Sequence, residues 1–410
     1  MYYQRDYINA SAGSSTLALP YRKQGVAVRS TYAYRDTYFG EFNMGYNGSE
    51  NFPKANRFGY FPAGALGYMI SNEKFWNPKV INVLKLRGSL GLVGAEQLAG
   101  GRRFGYLDTY SGGLGDYNFG ESSSTAPGVG EDMIGVSNLT WEKGLKSNIG
   151  FEMKMLDSRV SIDVDLFHEK ISDILVLRTS LPAITGYMNN PYANIGRMQN
   201  KGIEITTEFA DNIGGLGYRI YGNYSLTRNK ILEKDEAAKL SPWRMETGQR
   251  YGQQFGLVAI GLFKDEEDIS TSPRQTFGEV RPGDVKYLDI NGDGIIDIED
   301  RKPIGYSNIP EIIYGFGAQF DYKGFDIGLF FRGQANVTYS LGGSTFVPFI
   351  EGVGKHNLYT KALDRWSVEN PNPNAFYPRL DNGRNSNNWQ LSTRTIYDGS
   401  LLRLSDIELG

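Results

Sequence analysis

The sequence predicts an all-β protein, an antiparallel transmembrane β-barrel with long extracellular loops. The first observation is composition, because 27 Tyr, 22 Phe and 51 Gly accompany only 40% hydrophobic residues. Aromatic residues favour strands and glycine favours turns. The second is a repeated alternation of apolar and polar residues, and the third is a regular difference in length between successive connections.

Charge and cysteine content exclude several other classes of protein. The formal net charge of −3 gives no basic footprint for nucleic acid, so no nucleic-acid partner is expected. The absence of cysteine excludes disulfide frameworks, thiolate catalysis and cysteine-based zinc sites, and it suits an exported protein. No apolar run approaches the roughly 18 residues of a membrane helix.

The alternation is clearest in "RVSIDVDLFHEK". It places Val160, Ile162, Val164 and Leu166 on one face and Ser161, Asp163 and Asp165 on the other. "KGIEITTEFA" and "LKLRGSLGL" repeat it, and about a dozen segments of roughly ten residues follow the same rule. In a barrel the apolar face would contact lipid and the polar face would line the lumen. The same alternation also suits a soluble sandwich or propeller with one buried face.

Connections between these segments differ in length. "MLDSR" and "YKG" are tight turns, whereas residues 93–140, 228–255, 264–310 and 335–395 are long and polar. Long irregular loops are uncommon in compact soluble domains, but outer-membrane barrels combine short periplasmic turns with long extracellular loops. Residues 264–310 are therefore predicted to form one long extracellular loop.

That predicted loop contains "DINGDGIIDIED", residues 289–300, which follows the twelve-residue calcium pattern of an EF-hand. Calcium prefers six to eight oxygen ligands. The predicted ligands are Asp289, Asn291, Asp293, the Ile295 carbonyl, Asp297 and Asp300. Gly294 occupies the turn position and Ile296 would anchor the loop to an apolar surface. Prolines and glycines on both sides exclude long flanking helices, and the same residues can also build a turn without metal.

Nothing in the sequence predicts an enzyme. The two histidines, His168 and His356, have no recognisable partner, and no nucleophile, zinc-protease or phosphate-loop motif is present. The acidic run "KDEED" at 264–268 is expected to be a solvated surface. Tryptophans in the long connections, Trp243, Trp366 and Trp389, suit either sugar stacking or packing between loops.

An ordered series of segments resembles the C-terminal barrel region of SusC-type (RagA-like) TonB-dependent outer-membrane transporters. The segments are "NRFGYFPAGALGYMISNEKFW" (56–76), "LKLRGSLGLVG" (84–94), "LTWEKGLKSNIGFEMKMLDSRVSIDVDLFHEKISDIL" (139–175), "TGYMNNPYANIGRMQNKGIEI" (185–205), "GDVKYLDINGDGIIDIEDRKPIG" (283–305), "YGFGAQFDYKGFDIGLFFRG" (314–333), "RWSVENPNP" (365–373) and "IYDGSLLRLSDIELG" (396–410). They extend over nearly the whole chain.

The resemblance implies that residues 1–410 are the C-terminal half of a barrel of about 22 strands, ending before the last strands and without the plug domain. It implies a location in the outer membrane of a Gram-negative cell, in contact with its lipid. It further implies import of glycans or other large nutrients, with an oligosaccharide or peptide substrate. The partners would be a SusD-like surface lipoprotein and TonB, the latter acting through an N-terminal region that this chain lacks. The alternative, of a different class, is a secreted calcium-binding β-sandwich or adhesin that binds carbohydrate without transporting it.

Overall fold

The computed structural model describes residues 2–7, 18–97, 103–113, 116–121, 124–342, 346–349 and 358–410. Twelve strands form one antiparallel sheet: β1 (Tyr2–Tyr7), β2 (Tyr21–Tyr34), β3 (Tyr38–Ser49), β4 (Phe58–Met69), β5 (Ile81–Ala95), β10 (Glu142–Met155), β11 (Val160–Leu177), β12 (Tyr192–Ile213), β13 (Leu216–Glu233), β20 (Ile312–Tyr322), β21 (Phe325–Ala335) and β24 (Leu401–Leu409). Each pairs with its neighbour in that order, so the sheet is a meander with β1 and β24 at its edges.

Most connections of this sheet alternate in length as the sequence predicts; the exception is the pair 50–57 and 70–80, of which the second is the longer. Residues 35–37, 70–80, 156–159, 214–215 and 323–324 connect strands at one end, which we call the short-turn end. Residues 50–57, 96–141, 178–191, 234–311 and 336–400 connect strands at the opposite end, the long-connection end. The predicted tight turns "MLDSR" and "YKG" both occur at the short-turn end.

The two faces of the sheet differ in chemistry. Val164 lies directly opposite Ile205 of β12, and that isoleucine lies opposite Tyr224 of β13, so one face is apolar along this row. The next row pairs Asp163 with Thr206 on the other face. Many large apolar side chains of the first face are exposed, including Leu66, Ile149 and Leu166. A soluble sandwich would bury such a face against a second sheet, whereas a membrane protein presents it to lipid.

Aromatic side chains cluster at both ends of the apolar face. Tyr38 stacks on Tyr68 at the short-turn end, with ring centroids 5.2 Å apart. Toward the long-connection end, Tyr46 stacks on Phe58 at 5.1 Å and contacts Tyr60 at 4.5 Å. Rings at these two levels match the aromatic girdles of membrane barrels, which lie at headgroup depth.

The chain divides into two compact units. The first comprises residues 1–238, 314–332 and 404–410, and the second comprises residues 239–313 and 333–403. Short strands in the first unit are β6 (Thr109–Gly112), β7 (Tyr117–Phe119), β8 (Ser124–Ala126) and β9 (Val129–Met133). Its 3-10 helices are Lys54–Asn56, Ile70–Asn72 and Ala183–Thr185. A small core lies between its connections and the end of β11; it consists of Phe52, Val136, Leu139, Trp141 and Leu175.

The second unit contains only short elements. Its strands are β14 (Gln254–Gly256), β15 (Ala259–Leu262), β16 (Arg274–Gln275), β17 (Val285–Tyr287), β18 (Ile295–Ile296), β19 (Lys302–Ile304), β22 (Thr338–Ser340) and β23 (Ile396–Asp398), its α-helix is α1 (Glu266–Ser270), and its 3-10 helices are Pro242–Arg244, Ile298–Asp300 and Thr360–Leu363. They surround a core of Leu257, Leu262, Val285, Tyr287, Ile296, Trp366 and Ala375. Residues 264–310, predicted as a long loop, are thus part of a packed unit. None of the helices in the described ranges is long and apolar enough to cross a membrane.

Two contacts show how tightly this second core is packed. Gly283 adopts φ +87°, and a Cβ atom there would lie 2.1 Å from the Trp366 ring. The fully buried Asp284 accepts hydrogen bonds from Arg379 Nε at 3.1 Å and from Asn388 Nδ2 at 2.8 Å. A buried carboxylate requires such partners, so these residues hold the unit in one arrangement.

Candidate functional site: the polar face and the acidic loop

The polar face of the main sheet carries a series of charge pairs. Side chains two residues apart along a strand share one face, so charged residues at alternate positions all lie on the polar face. On this face, residues of opposite sign lie next to each other on neighbouring strands. Arg29 pairs with Glu41 at 2.7 Å, and Arg219 pairs with Glu208 at 2.6 Å. The arrangement gives a hydrophilic wall behind an apolar outer surface.

The densest part of this wall lies on β5, β10 and β11. Arg87 donates from Nη2 to Asp165 at 2.6 Å and lies 3.1 Å from Glu152 through Nε. Lys85 lies 3.4 Å from the same Glu152, and Asp163 is directly opposite that glutamate in the register. These residues confirm the predicted polar face of "RVSIDVDLFHEK" and "LKLRGSLGL". Shared partners orient the side chains toward one another, so the wall is ordered as well as charged.

A groove of about 200 Å³ lies on the same face near β24. Tyr221 and Phe330 stack across it with centroids 5.9 Å apart. The Arg219 guanidinium lies 4.7 Å from the centroid of the Tyr221 ring, and Asp406 and Glu408 complete the polar lining. Aromatic faces next to hydrogen-bonding groups can hold an amphipathic solute such as a sugar or a peptide side chain. The alternation of "GYRIYGNYSL" and "GFDIGLFFRG" predicts the strands that carry Tyr221 and Phe330, and no sequence motif predicts the groove itself.

The predicted calcium loop in the second unit has short elements on both sides, as its flanking prolines and glycines predict. It runs from the end of β17 through β18 to the 3-10 helix Ile298–Asp300. Ile296 is fully buried in the core, so its predicted anchoring role is confirmed. Gly292 and Gly294 adopt φ of +76° and +80°, which lets the chain turn twice within three residues.

The carboxylates of this loop accept hydrogen bonds from its own backbone. Asp289 accepts from Gly292 N at 2.6 Å and from Gly294 N at 2.9 Å. Asp293 Oδ1 accepts from Ile295 N at 2.8 Å, while Asn291 Oδ1 accepts from Asp293 N at 3.0 Å. These are the interactions of Asx-turns. Three of the predicted ligands, Asp289, Asn291 and Asp293, therefore order the loop through hydrogen bonds to its own backbone.

Asp297 and Asp300 hold the far end of the loop. The fully buried Asp300 accepts from Ile290 N at 2.8 Å and Asn291 N at 3.4 Å through Oδ1, and from Asp297 N at 2.9 Å through Oδ2. Asp297 accepts from Glu299 N at 2.7 Å, so the two aspartates form a reciprocal capping box. In residues 2–410, apart from the undescribed gaps, no three His, Asp or Glu side chains converge closely enough to hold a metal.

The remaining residues noted in the sequence are three tryptophans and two histidines. Trp366 is buried in the second core, and Trp243 donates to the Glu299 carbonyl at 3.3 Å. Trp389 packs beside Tyr377 with centroids 6.2 Å apart. These contacts suit packing between loops. His168 lies on β11 with its carbonyl accepting from Ser147 at 3.0 Å, and His356 lies outside the described residues.

Comparison with protein families identifies one match over most of the chain. The family described as TonB dependent receptor-like, beta-barrel matches residues 25–370. A TonB-dependent receptor of Formosa agariphila is 28% identical over 399 residues, which are 93% of this chain and 38% of that protein. The TonB-dependent receptor SusC of Bacteroides thetaiotaomicron is 26% identical over 405 residues, 93% of this chain and 37% of that protein. The chain thus spans less than two fifths of the length of these two relatives.

Solved structures show the same fold. The RagAB peptide transporter superposes with a TM-score of 0.74 at 18% identity, over 97% of this chain and 42% of that chain. The RagAB peptide importer in its closed-closed state gives a TM-score of 0.71 over 100% of this chain and 45% of that chain. At this level of identity the likeness concerns the fold.

Proposed function

Since this chain belongs to the TonB-dependent receptor-like β-barrel family, a family of outer-membrane transporters rather than enzymes, we propose that it forms part of the wall of an energised importer of large nutrients. The observation that carries the proposal is the two-faced sheet, apolar and exposed on one side and lined with paired charges on the other. An apolar outer face suits contact with lipid, and a polar inner face suits passage of a hydrated solute.

The proposed substrate class is an oligosaccharide or a peptide. The similarity to SusC and to a RagAB peptide transporter supports large nutrients as the class of substrate. The groove at Tyr221 and Phe330 supplies a stacked aromatic pair beside carboxylates, which suits either solute. By the same similarity, the proposed partners are a SusD-like surface lipoprotein at the long-connection end and TonB as the source of energy.

Uptake of labelled solutes by intact cells tests this function. Cells with and without the gene for this chain are given fluorescent oligosaccharides and oligopeptides, with and without a protonophore. The proposal predicts that uptake of at least one class requires both the gene and an energised membrane. Unchanged uptake of both classes in cells lacking the gene would contradict it.

A pair of substitutions on β13 tests the role of the polar face. Tyr221→Ala removes half of the stacked pair in the groove, and we expect lower uptake with unchanged amounts of folded protein. Tyr224→Ala is the matched control, because Tyr224 lies opposite Ile205 on the apolar face. Equal losses of uptake in the two variants would count against transport along the polar face.

We also propose that residues 289–300 bind one calcium ion through Asp289, Asn291, Asp293, Asp297, Asp300 and the Ile295 carbonyl. Six oxygen donors in the order of a calcium loop support this, because calcium is a hard cation with oxygen ligands. Binding would exchange some of the hydrogen bonds to backbone amides for metal contacts, so a weak affinity of about 10⁻⁴ to 10⁻³ M is expected. Calorimetric titration of the wild type and Asp293→Ala measures it. If no heat of binding appears below about 10 mM calcium, which exceeds the dissociation constants of even the weakest calcium sites, the calcium proposal is wrong.

A further inference from the structure

The apolar face of β11, β12 and β13 ends abruptly toward the long-connection end. Leu166, Ile203 and Leu226 lie side by side in one row of the register. Two residues further along each strand, the next row on the same face is His168, Lys201 and Arg228. The row after that is Lys170, Gln199 and Lys230. Five basic side chains thus occupy two adjacent rows; we call them the basic border.

The charge of this border is concentrated. Lys170, Lys201 and Lys230 are exposed, and no carboxylate in the described residues lies within ion-pair distance of any of the three amino groups. Further toward the long-connection end, Arg197 does have such a partner, Glu233 at 2.5 Å. Strands lie about 4.8 Å apart and side chains on one face repeat every 6.8 Å or so, so the border covers roughly 10 by 7 Å. Like charges this close repel, and a counter-charge from outside the chain would relieve the repulsion among the three lysines.

The position of the border relative to lipid follows from the register. At the short-turn end, the level of the headgroups is marked by the row of Tyr218 and Asp211, where Tyr218 packs against Phe209. The one row beyond it on this face, Ile213 and Leu216, borders the turn. From Tyr218 to Arg228 there are ten residue steps along β13. At about 3.4 Å per residue and a tilt of about 40°, they span about 26 Å across the membrane. The apolar band of an outer-membrane barrel is about 25 Å tall, so the border lies at the level of lipid headgroups.

The leaflet follows from the connections. In outer-membrane barrels the short turns face the periplasm and the long loops face outward. The basic border lies at the long-connection end, so its headgroups are those of the outer leaflet. Its side chains continue the lipid-facing surface and carry the charge that anionic headgroups attract.

We propose that Lys170, Lys201 and Lys230, together with His168 and Arg228, form a docking surface for phosphorylated lipid headgroups of the outer leaflet. The acyl chains would lie along the apolar rows that include Leu166, Ile203 and Leu226, while the phosphate contacts the amino groups two residues further. Lysine ammonium groups bind phosphate as point charges, and a cluster on three adjacent strands surrounds one or two phosphates.

The test uses the protein purified in a neutral detergent and freed of lipid. It is titrated with dioleoyl phosphatidic acid, dioleoyl phosphatidylcholine or inorganic phosphate, and the bound ligand is counted by native mass spectrometry. The variant Lys170→Gln/Lys201→Gln/Lys230→Gln removes three charges from the border. The control Lys54→Gln/Lys239→Gln/Lys264→Gln removes three exposed charges from connections of the chain. Heat-modifiable migration on a gel verifies that all the proteins are folded.

We expect phosphatidic acid to bind the border variant about a hundredfold more weakly, since each lysine near an anionic surface contributes roughly fivefold. Phosphatidylcholine binding and the control variant should be unchanged. At about 1 M salt, where the Debye length is about 3 Å, the wild type should approach the border variant. Equal binding of phosphatidic acid to the border variant and the wild type would overturn the proposal. An equal loss in the control variant would also overturn it, because that variant leaves the basic border intact. Equally tight binding of inorganic phosphate would do the same, because a phosphate without acyl chains makes no use of the apolar rows.

Discussion

Arginine substitutions at two consecutive residues of β12, Ile205 and Thr206, test which face of the sheet contacts lipid. Ile205 lies opposite Val164 and Tyr224 on the apolar face. Tyr224 is six residue steps from Tyr218 and four from Arg228, so this row lies near the middle of the apolar band. An arginine at the bilayer midplane costs about 2–4 kcal/mol. Ile205→Arg should therefore lower the folding equilibrium constant by a factor of about 30 to 800.

Thr206→Arg is the matched control on the same strand. Thr206 lies opposite Asp163 and Asn223 on the polar face, with Glu204 and Glu208 on either side along β12. An added guanidinium there gains anionic neighbours and keeps its contact with water, so we expect a change within about 1 kcal/mol.

The assay is urea unfolding of the chain in phosphatidylcholine vesicles, followed by heat-modifiable migration and tryptophan fluorescence. The difference between the two midpoints, multiplied by the common slope, gives the difference in free energy of unfolding. Equal losses at Ile205 and Thr206 would refute the assignment of faces. A large loss at Thr206 with none at Ile205 would reverse it.

Three further predictions concern the second unit. Asp300→Ala should destabilise it by about 2–4 kcal/mol even without calcium, because three backbone N–H groups lose a charged acceptor; calorimetry in chelator measures this, and an unchanged transition would contradict it. Gly283→Ala should cost a similar amount, about 2–4 kcal/mol, because its Cβ would clash with the Trp366 ring at φ +87°; an alanine variant with wild-type melting would show that this packing is loose. The Lys286 ammonium lies 2.7 Å from Asp268 and lowers the pKa of that carboxyl. The contribution of this ion pair to stability is therefore complete above the ordinary aspartate pKa, and it is lost as the pH falls through the lowered pKa of the folded state. Asp268→Asn should remove that part of the acid dependence, and identical pH profiles of the two proteins would contradict the linkage.

The strands of the main sheet were predictable because each has a local signal. The alternation at residues 160–166 identifies β11 and its two faces from one segment alone. The tight turns at 156–159 and 323–324 identify two pairs of neighbouring strands, β10 with β11 and β20 with β21. The all-β membrane-barrel class, the family and the outer-membrane location are confirmed. The sandwich alternative lacks support, because one sheet carries all twelve long strands of the described chain.

The second unit could not be predicted from local patterns. Its core joins Leu257 and Ile296 to Trp366, and those residues are separated by long polar stretches. Periodicity describes contacts within one element, whereas this core depends on distant contacts between very short ones. Residues 264–310 consequently looked like a single irregular loop.

The acidic loop shows a different limit. The pattern of residues 289–300 gives the order of oxygen donors, and it cannot distinguish a carboxylate that binds metal from one that accepts amide hydrogen bonds. In the structure Asp289 and Asp300 do the latter. Calcium binding and the extracellular location of this segment remain predictions.

Accessibility of spin labels along residues 160–168 tests most directly whether this sheet is the wall of a membrane barrel. The chain contains no cysteine, so single cysteines at successive positions carry one label each. In vesicles, labels at Val160, Ile162, Val164 and Leu166 should collide with oxygen dissolved in the lipid. Labels at Ser161, Asp163 and Asp165 should instead collide with a water-soluble nickel chelate, and His168 should mark the change to water on the outer face. Labels at Val160, Ile162, Val164 and Leu166 that neither reagent reaches would mean that the apolar face is buried against protein, which would contradict the membrane barrel.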